Sequence, residues 1–324
     1  MLMSSMDQYM AVNEKAEGII GKFFYYSISN ILIPKAKFVE IGQSFGLPKC
    51  KPSKESKSGA YRHATTAIKD RVTVKNGVGT YIYRIYCRDN KKDNAKHIVR
   101  ELVKETLNSR TNEYHKLANI CFDKENELLY VENEETDPDV DVQAYCRQAE
   151  TLYERFCDCY SVDHVESVIE DMLERMQANK ISIHGNLYFI PNPYLPLLNI
   201  LEDYIVAISA HNLNPGLVMS NSMFVVDDER QRQKMTEEFY ANYKRDIEFY
   251  QERVQHFIDN GCDSKAVIDR WLQKIGSLQQ KKKTYEEVLK RQLDDLNSDY
   301  QMLQMQFDEL RVRNIKGQMQ LNAA

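Results

Sequence analysis

Glycine is scarce in this chain, with 12 among 324 residues. Neither G-x-x-x-x-G-K-[ST] nor G-x-G-x-x-G occurs, so the backbone loops that cradle nucleotide phosphates are excluded. Asn76-Gly77-Val78-Gly79 holds two glycines, but no helix pattern follows them directly, and a hairpin turn accounts for it. The esterase motif G-x-S-x-G is absent too. The seven histidines form no H-x-x-x-H or H-E-x-x-H pair, so no zinc-hydrolase site is expected. Seven cysteines stand at irregular spacings, at 50, 87, 121, 146, 157, 159 and 262. Cys157-Asp-Cys159 is a C-x-C, and no second pair completes a zinc site. Free thiols in a reducing cytoplasm are the expectation. Long hydrophobic runs are missing as well. The stretch Leu195–Ile208 is interrupted by Glu202 and Asp203, so no transmembrane helix and no membrane partner are expected. Met1 to Met10 lacks a basic region followed by an apolar run, the pattern of a signal peptide. No catalytic residue, metal ligand or cofactor is expected from these absences.

Apolar residues make up 43% of the chain, enough for a packed core, and tyrosine is abundant at 20. High tyrosine with low glycine suits helices and half-buried strands rather than a turn-rich sandwich. The net charge of -5 is unevenly placed. Residues 1–117 hold 21 Lys and Arg against 11 Asp and Glu, while the remainder is acidic. A basic amino-terminal third points to a polyanion-facing end.

Apolar spacing predicts a helix within residues 8–32 and a second over Lys35–Phe45, opened by Pro34 and stopped by Gly46 and Pro48. After a basic connector, Ser58 is expected to cap a third helix, Gly59–Asp70. The period then becomes two. Val72 and Val74, then Tyr81, Tyr83 and Ile85, predict a hairpin. Helix is expected again over 94–117, followed by a hairpin of Ile120–Phe122 with Leu128–Val131. Val142–Gln177 reads as one broken helix or two, Ile181–Ile183 with Leu187–Phe189 as a short hairpin turning at His184-Gly185-Asn186, and Pro191–Pro196 as the lead into a helix ending near Ala210. Met223–Val226 is a last strand, and everything from Asp228 onward is helical.

Within that tail, Leu289, Leu293, Leu296, Tyr300, Leu303, Phe307 and Leu310 alternate spacings of four and three. Such a seam must bury against another helix. Phe239, Tyr243, Ile247, Tyr250, Val254 and Phe257 form a facing stripe, and Asn260-Gly261 breaks between the two. The expectation is an antiparallel coiled-coil hairpin that also associates with a second copy or a protein partner.

The order of two helices and a hairpin over residues 34–88 matches a winged helix. Arg62, His63 and Lys69 on the helix side, with Arg71, Lys75 and Arg84 on the wing, are the candidate nucleic-acid contacts, because lysine and arginine neutralise phosphates. Asp137-Pro-Asp139-Val-Asp141 lacks the glycine and distal glutamate of a calcium loop, so a solvated acidic loop is expected there.

Ser27-Ile-Ser-Asn-Ile-Leu-Ile-Pro34, Phe45-Gly-Leu-Pro48 and Ser58-Gly-Ala-Tyr-Arg-His-Ala-Thr65 together resemble the amino-terminal signature of a family of unknown function. His184-Gly-Asn-Leu-Tyr-Phe-Ile-Pro191 is similar to its second signature. The resemblance covers the first two thirds of the chain and leaves the coiled-coil tail outside. It implies a prokaryotic, phage or mobile-element setting, in which action on a host or defence complex would be natural, and it implies no activity.

The fold class expected is α+β, with small antiparallel sheets and a carboxy-terminal helical hairpin. Three parts are expected: a basic module over 1–117, a second α+β module over 118–227 and the hairpin over 228–324. The leading function is non-enzymatic binding or scaffolding. A winged-helix-type DNA-binding regulator, and an enzyme whose site is assembled from dispersed residues, are the alternatives.

Overall fold

A computed structural model describes residues 18–51, 56–76, 79–90, 96–107, 113–181, 185–214, 216, 218–262 and 264–321. In chain order it begins with β1 (Ile19–Ile28), β2 (Leu32–Pro34), α1 (Lys35–Ser44) and α2 (Lys57–Ala67). A run of strands follows: β3 (Lys69–Asn76), β4 (Gly79–Asp89), β5 (His97–Thr106), β6 (Tyr114–Asp123) and β7 (Leu128–Glu132). Next come α3 (Val142–Asp158), β8 (Cys159–Ser161), α4 (Val162–Arg175), β9 (Asn179–Lys180), β10 (Leu187–Pro191) and α5 (Leu195–Ala210). The chain ends with β11 (Val218–Val226), α6 (Glu229–Asp259), α7 (Lys265–Leu289) and α8 (Asp295–Leu321). The class is α+β. Two compact units result.

The first unit contains β1, residues 169–207, and the chain from β11 onward. Its sheet runs in the order β11-β1-β10-β9, every pairing antiparallel. Residues 19–28 lie in the expected first helix, yet they form a strand. Central in its sheet, β1 buries Ile20, Lys22, Phe24 and Tyr26, but the alternation is hidden in the sequence because Phe23 and Tyr25 between them are apolar too. The remainder of that expected helix, residues 8–17, lies outside the described residues. Gly21 has a local reason: a Cβ there would collide with the Ile190 carbonyl and the Phe189 ring. The expected hairpin at 181–189 forms two residues earlier in its first strand, with Asn179 opposite Phe189 and Lys180 opposite Tyr188. His184 of its turn lies outside the described residues.

The core of this unit joins Ile20, Phe189 and Val225 to the apolar faces of α6, α7 and α8. Asp228 caps α6 by accepting from the Gln231 N–H, and Gly261 follows the helix at φ 60°. The tail therefore holds three helices, not two. The uninterrupted seam helix breaks between Leu289 and Asp295, where Lys290 adopts a left-handed φ of 54°. Glu286 explains the break. Its Oε1 accepts from Lys282 Nζ at 2.6 Å and from the Leu293 backbone N–H at 2.9 Å, satisfying a donor that a continued helix would have bonded to a carbonyl.

The second unit contains Ser29–Val168 and Ile208–Gly216. Its larger sheet runs β3-β4-β5-β6-β7 in chain order, an antiparallel meander, and β2 pairs with β8 in a second, two-stranded sheet. Helices α2 and α3 pack on one face, where Tyr61, Ile85, Leu102, Ile120, Phe122, Cys146 and Ala149 form the core. The Tyr61 hydroxyl donates to the Ile120 carbonyl at 2.7 Å, and its ring stacks on Phe122. Ser56, not Ser58, caps α2, accepting from the Gly59 N–H.

The helix expected over 94–117 is instead β5 and the start of β6, while its positions 94–95 and 108–112 lie outside the described residues. Ile98, Val99, Leu102 and Val103 are all buried or half-buried, two on each face of β5, and their spacing of one, three and one imitates a helical stripe. A boundary after residue 117 falls inside β6. The expected two-stranded wing is thus the start of a continuous sheet.

Candidate functional site

The six candidate nucleic-acid residues divide between two elements. Lys69, Arg71 and Lys75 occupy alternate positions of β3 and are exposed, while Val72 and Val74 turn towards the core. Arg84 is exposed on β4, between the buried Tyr83 and Ile85. The register sets Lys69 opposite Tyr86, Arg71 opposite Arg84 and Lys75 opposite Thr80. These four cations therefore share the outer face of the sheet. Among the described residues, none of the four has a carboxylate within 4.0 Å. Arg62 and His63 do not join them. They lie on α2, which packs on the opposite face, and His63 stacks on Phe156 of α3 at 5.6 Å.

Three further residues of the outer face escaped the sequence reading. Arg84 holds its guanidinium 4.8 Å from the Tyr86 ring centroid, and Arg88 lies 5.7 Å from that of Tyr114, whose side chain is 52% exposed. Arg84-x-Tyr86-x-Arg88 on an alternating strand was the available signal. Burial raises the Tyr86 phenol above its ordinary value, with the Glu105 charge next in weight. The cationic strip ends at β5. Glu101 there takes Arg88 at 2.9 Å and Lys116 at 3.7 Å, and Glu105 is buried.

The acidic loop is solvated only in part: Asp141 is exposed, while Asp137 and Asp139 turn to Lys104. Lys104 Nζ donates to Asp137 Oδ2 at 2.5 Å, lies 3.5 Å from Asp139 Oδ2, and sits 4.6 Å from the centroid of Tyr83. The Asp137 side chain is only 3% exposed. Burial alone would push its carboxyl up. The Lys104 hydrogen bond, the Asp139 N–H and the Lys104 charge together pull it below the ordinary value. The ammonium thus holds the place a cation would need. Among the described residues no three His, Cys, Asp or Glu are placed to bind a metal. Burial pushes the Cys87 thiol up to about 12 and those of Cys121 and Cys146 up to about 11, so these three are poor nucleophiles.

The seam residues are placed elsewhere, in the first unit. Leu289, Leu293, Leu296, Tyr300, Leu303, Phe307 and Leu310 are all buried in that unit's own core. A single chain buries all seven seam positions.

These elements, from β1 to the greater part of α8, fall within one family model, a family of unknown function (DUF6744) matching residues 19–318. The chain belongs to this family. The match reaches through α7 and most of α8, so the helical tail is part of the family's common body, not an addition to it. No curated protein and no solved structure matches the chain. No described helix is long and apolar enough to cross a membrane.

Proposed function

We propose that this family member is a non-enzymatic nucleic-acid-binding protein, and that it receives a single strand on the outer face of β3 and β4. The observation that carries the reading is the row of four exposed cations without carboxylate partners among the described residues, with Arg71 set opposite Arg84. Like charges directly across a sheet are destabilising, and a polyanion removes that cost. Lys69 to Lys75 spans roughly 20 Å at about 3.3 Å per residue, the scale of a short single-strand site. Tyr86 and Tyr114 add rings on which bases stack, and the guanidinium groups above them add planar cations.

A single strand is favoured over a duplex by the geometry. A major groove is read by an inserted helix or a narrow two-stranded ribbon. Here α2 packs on the other face of the sheet, and β4 continues into β5. The prokaryotic, phage or mobile-element setting implied by the resemblance belongs to this proposal, since such genomes expose single strands when they replicate or transfer.

The test is fluorescence polarisation of a labelled oligothymidine and of a duplex of equal length across a salt series. Single-strand binding should weaken with salt by about 0.7 in log–log slope for each phosphate contact. Arg71→Ala with Arg84→Ala should remove about 1.4 of that slope. No binding at low salt, or binding indifferent to both substitutions, would overturn the reading.

A further inference from the structure

The first unit holds a cavity that the nucleic-acid reading does not use. Its volume is about 300 Å³, and its lining includes Asn179, Lys180, Asn242, Arg245, Asp246 and Lys281. Three cations face one carboxylate there, a formal balance of +2. The wall is braced by hydrogen bonds. Asn242 Nδ2 donates to the Lys180 carbonyl at 2.5 Å and to Asn179 Oδ1 at 3.1 Å, and the Arg245 guanidinium donates to Asn242 Oδ1. Asn179 is buried, so this brace is anchored in the sheet.

Lys281 is different. It is half-buried on α7, yet no carboxylate lies within 4.0 Å of its ammonium among the described residues. Burial lowers its amine below the ordinary value, against the charges of Asp246 and Glu174. Burial likewise raises the Asp246 carboxyl, against Lys281 and Arg245. A second cavity, of about 230 Å³, shares Asp246 and Lys281 with the first. Gln177 lines it, and the Gln177 side-chain oxygen is buried without a partner among the described residues. A half-buried cation with no carboxylate in direct contact among the described residues, lining an open cavity, carries a desolvation cost that an arriving anion would offset.

We propose that this cavity binds a small phosphate-bearing molecule, with Arg245 and Lys281 receiving the phosphate and Lys180 at the exposed rim. The +2 lining matches the charge of about -1.5 to -2 that a phosphate monoester carries near pH 7. Arginine offers the planar fork that suits a phosphate, and lysine a point charge. The volume lies at the small end of ligand cavities, which favours a compact metabolite over a polymer. Tyr188, whose ring has the Lys180 ammonium 5.9 Å from its centroid, supplies an apolar wall for the rest of the molecule.

Calorimetric titration of the full chain tests this, using inorganic phosphate and phenyl phosphate as probes and sodium acetate as the control. Saturable binding of at least one phosphate probe is expected, with acetate much weaker. Arg245→Gln and Lys281→Met should each weaken it at least about tenfold, as loss of a charge-assisted bond does. Lys281→Arg should stay within about threefold. Arg71→Ala with Arg84→Ala should leave it unchanged, which separates this site from the outer face of β3 and β4. Should Lys281→Met fail to fold by circular dichroism, the exposed Arg245 decides. No saturable heat with either probe, equal heat with acetate, or full binding by Arg245→Gln overturns the proposal.

Discussion

Arg71 of β3 stands directly across from Arg84 of β4, on the outer face of the five-stranded sheet. Arg84 has a second neighbour, Glu105 of β5, on its other side. Arg71 has none, because β3 is the edge of the sheet. Lysine and arginine on an edge also discourage strand-to-strand aggregation. That role explains cations at Lys69 and Lys75. It does not require one at the position facing Arg84.

Arg71→Glu separates the two roles. It converts a like-charge pair into an opposite-charge pair, and stability should rise by about 0.2–1 kcal/mol. Affinity for single-stranded oligonucleotide should fall. Urea denaturation and polarisation on the same preparation measure both. A loss of stability, or retained affinity, would show that Arg71 serves packing and not binding.

The seam of α7 and α8 is covered within one chain. Leu303→Ala removes a fully buried side chain and should cost about 2–5 kcal/mol. Leu296→Asp with Leu303→Asp should lose helicity by circular dichroism while light scattering reports the same mass as the parent. A drop in mass with helicity intact would mean that these leucines hold two copies together.

Lys104 and Asp137 are a buried pair, and they are unequal to their single removals. Lys104→Met leaves the Asp137 carboxylate buried without its ammonium and should cost about 3–5 kcal/mol. Lys104→Met combined with Asp137→Leu should recover much of that loss, because both charges leave together. Thermal denaturation of the parent, the single and the double variant checks the order. A double variant less stable than the single would show that Asp137 is held by other groups.

The same pair predicts acid sensitivity. The folded carboxyl of Asp137 lies below its unfolded value of about 3.9. Its stabilisation is therefore present above that value and is lost as pH falls through the folded one. Asp227 and Glu229 behave alike, held down chiefly by hydrogen bonds from Lys290 and Arg232 respectively. Melting temperature should fall steeply below about pH 4 in the parent, and less steeply in the Lys104→Met, Asp137→Leu variant. Equal acid profiles would remove Asp137 from the account.

Local pattern alone determined several elements here. Val72, Val74, Tyr81, Tyr83 and Ile85 alternate because one face of β3 and β4 is solvated, so the hairpin was legible. Pro34 and Gly46 bracket α1, and the apolar spacing from Leu289 to Leu310 revealed residues that are all buried. The excess of positive charge in the first third pointed to the region carrying the candidate interface. Tertiary structure decided the rest. Residues 19–28 and 97–106 became strands because other strands pair with both their edges, and apolar residues on both sides of each strand hide the period of two. The seam helix broke after Leu289 because the Glu286 carboxylate captures the Leu293 N–H, and no glycine or proline announces that bond. Lys104 found Asp137 across 33 positions of chain, and Arg245 and Lys281 met on separate helices. Periodicity reports which faces meet water, whereas partners distant in sequence are chosen only when the elements pack.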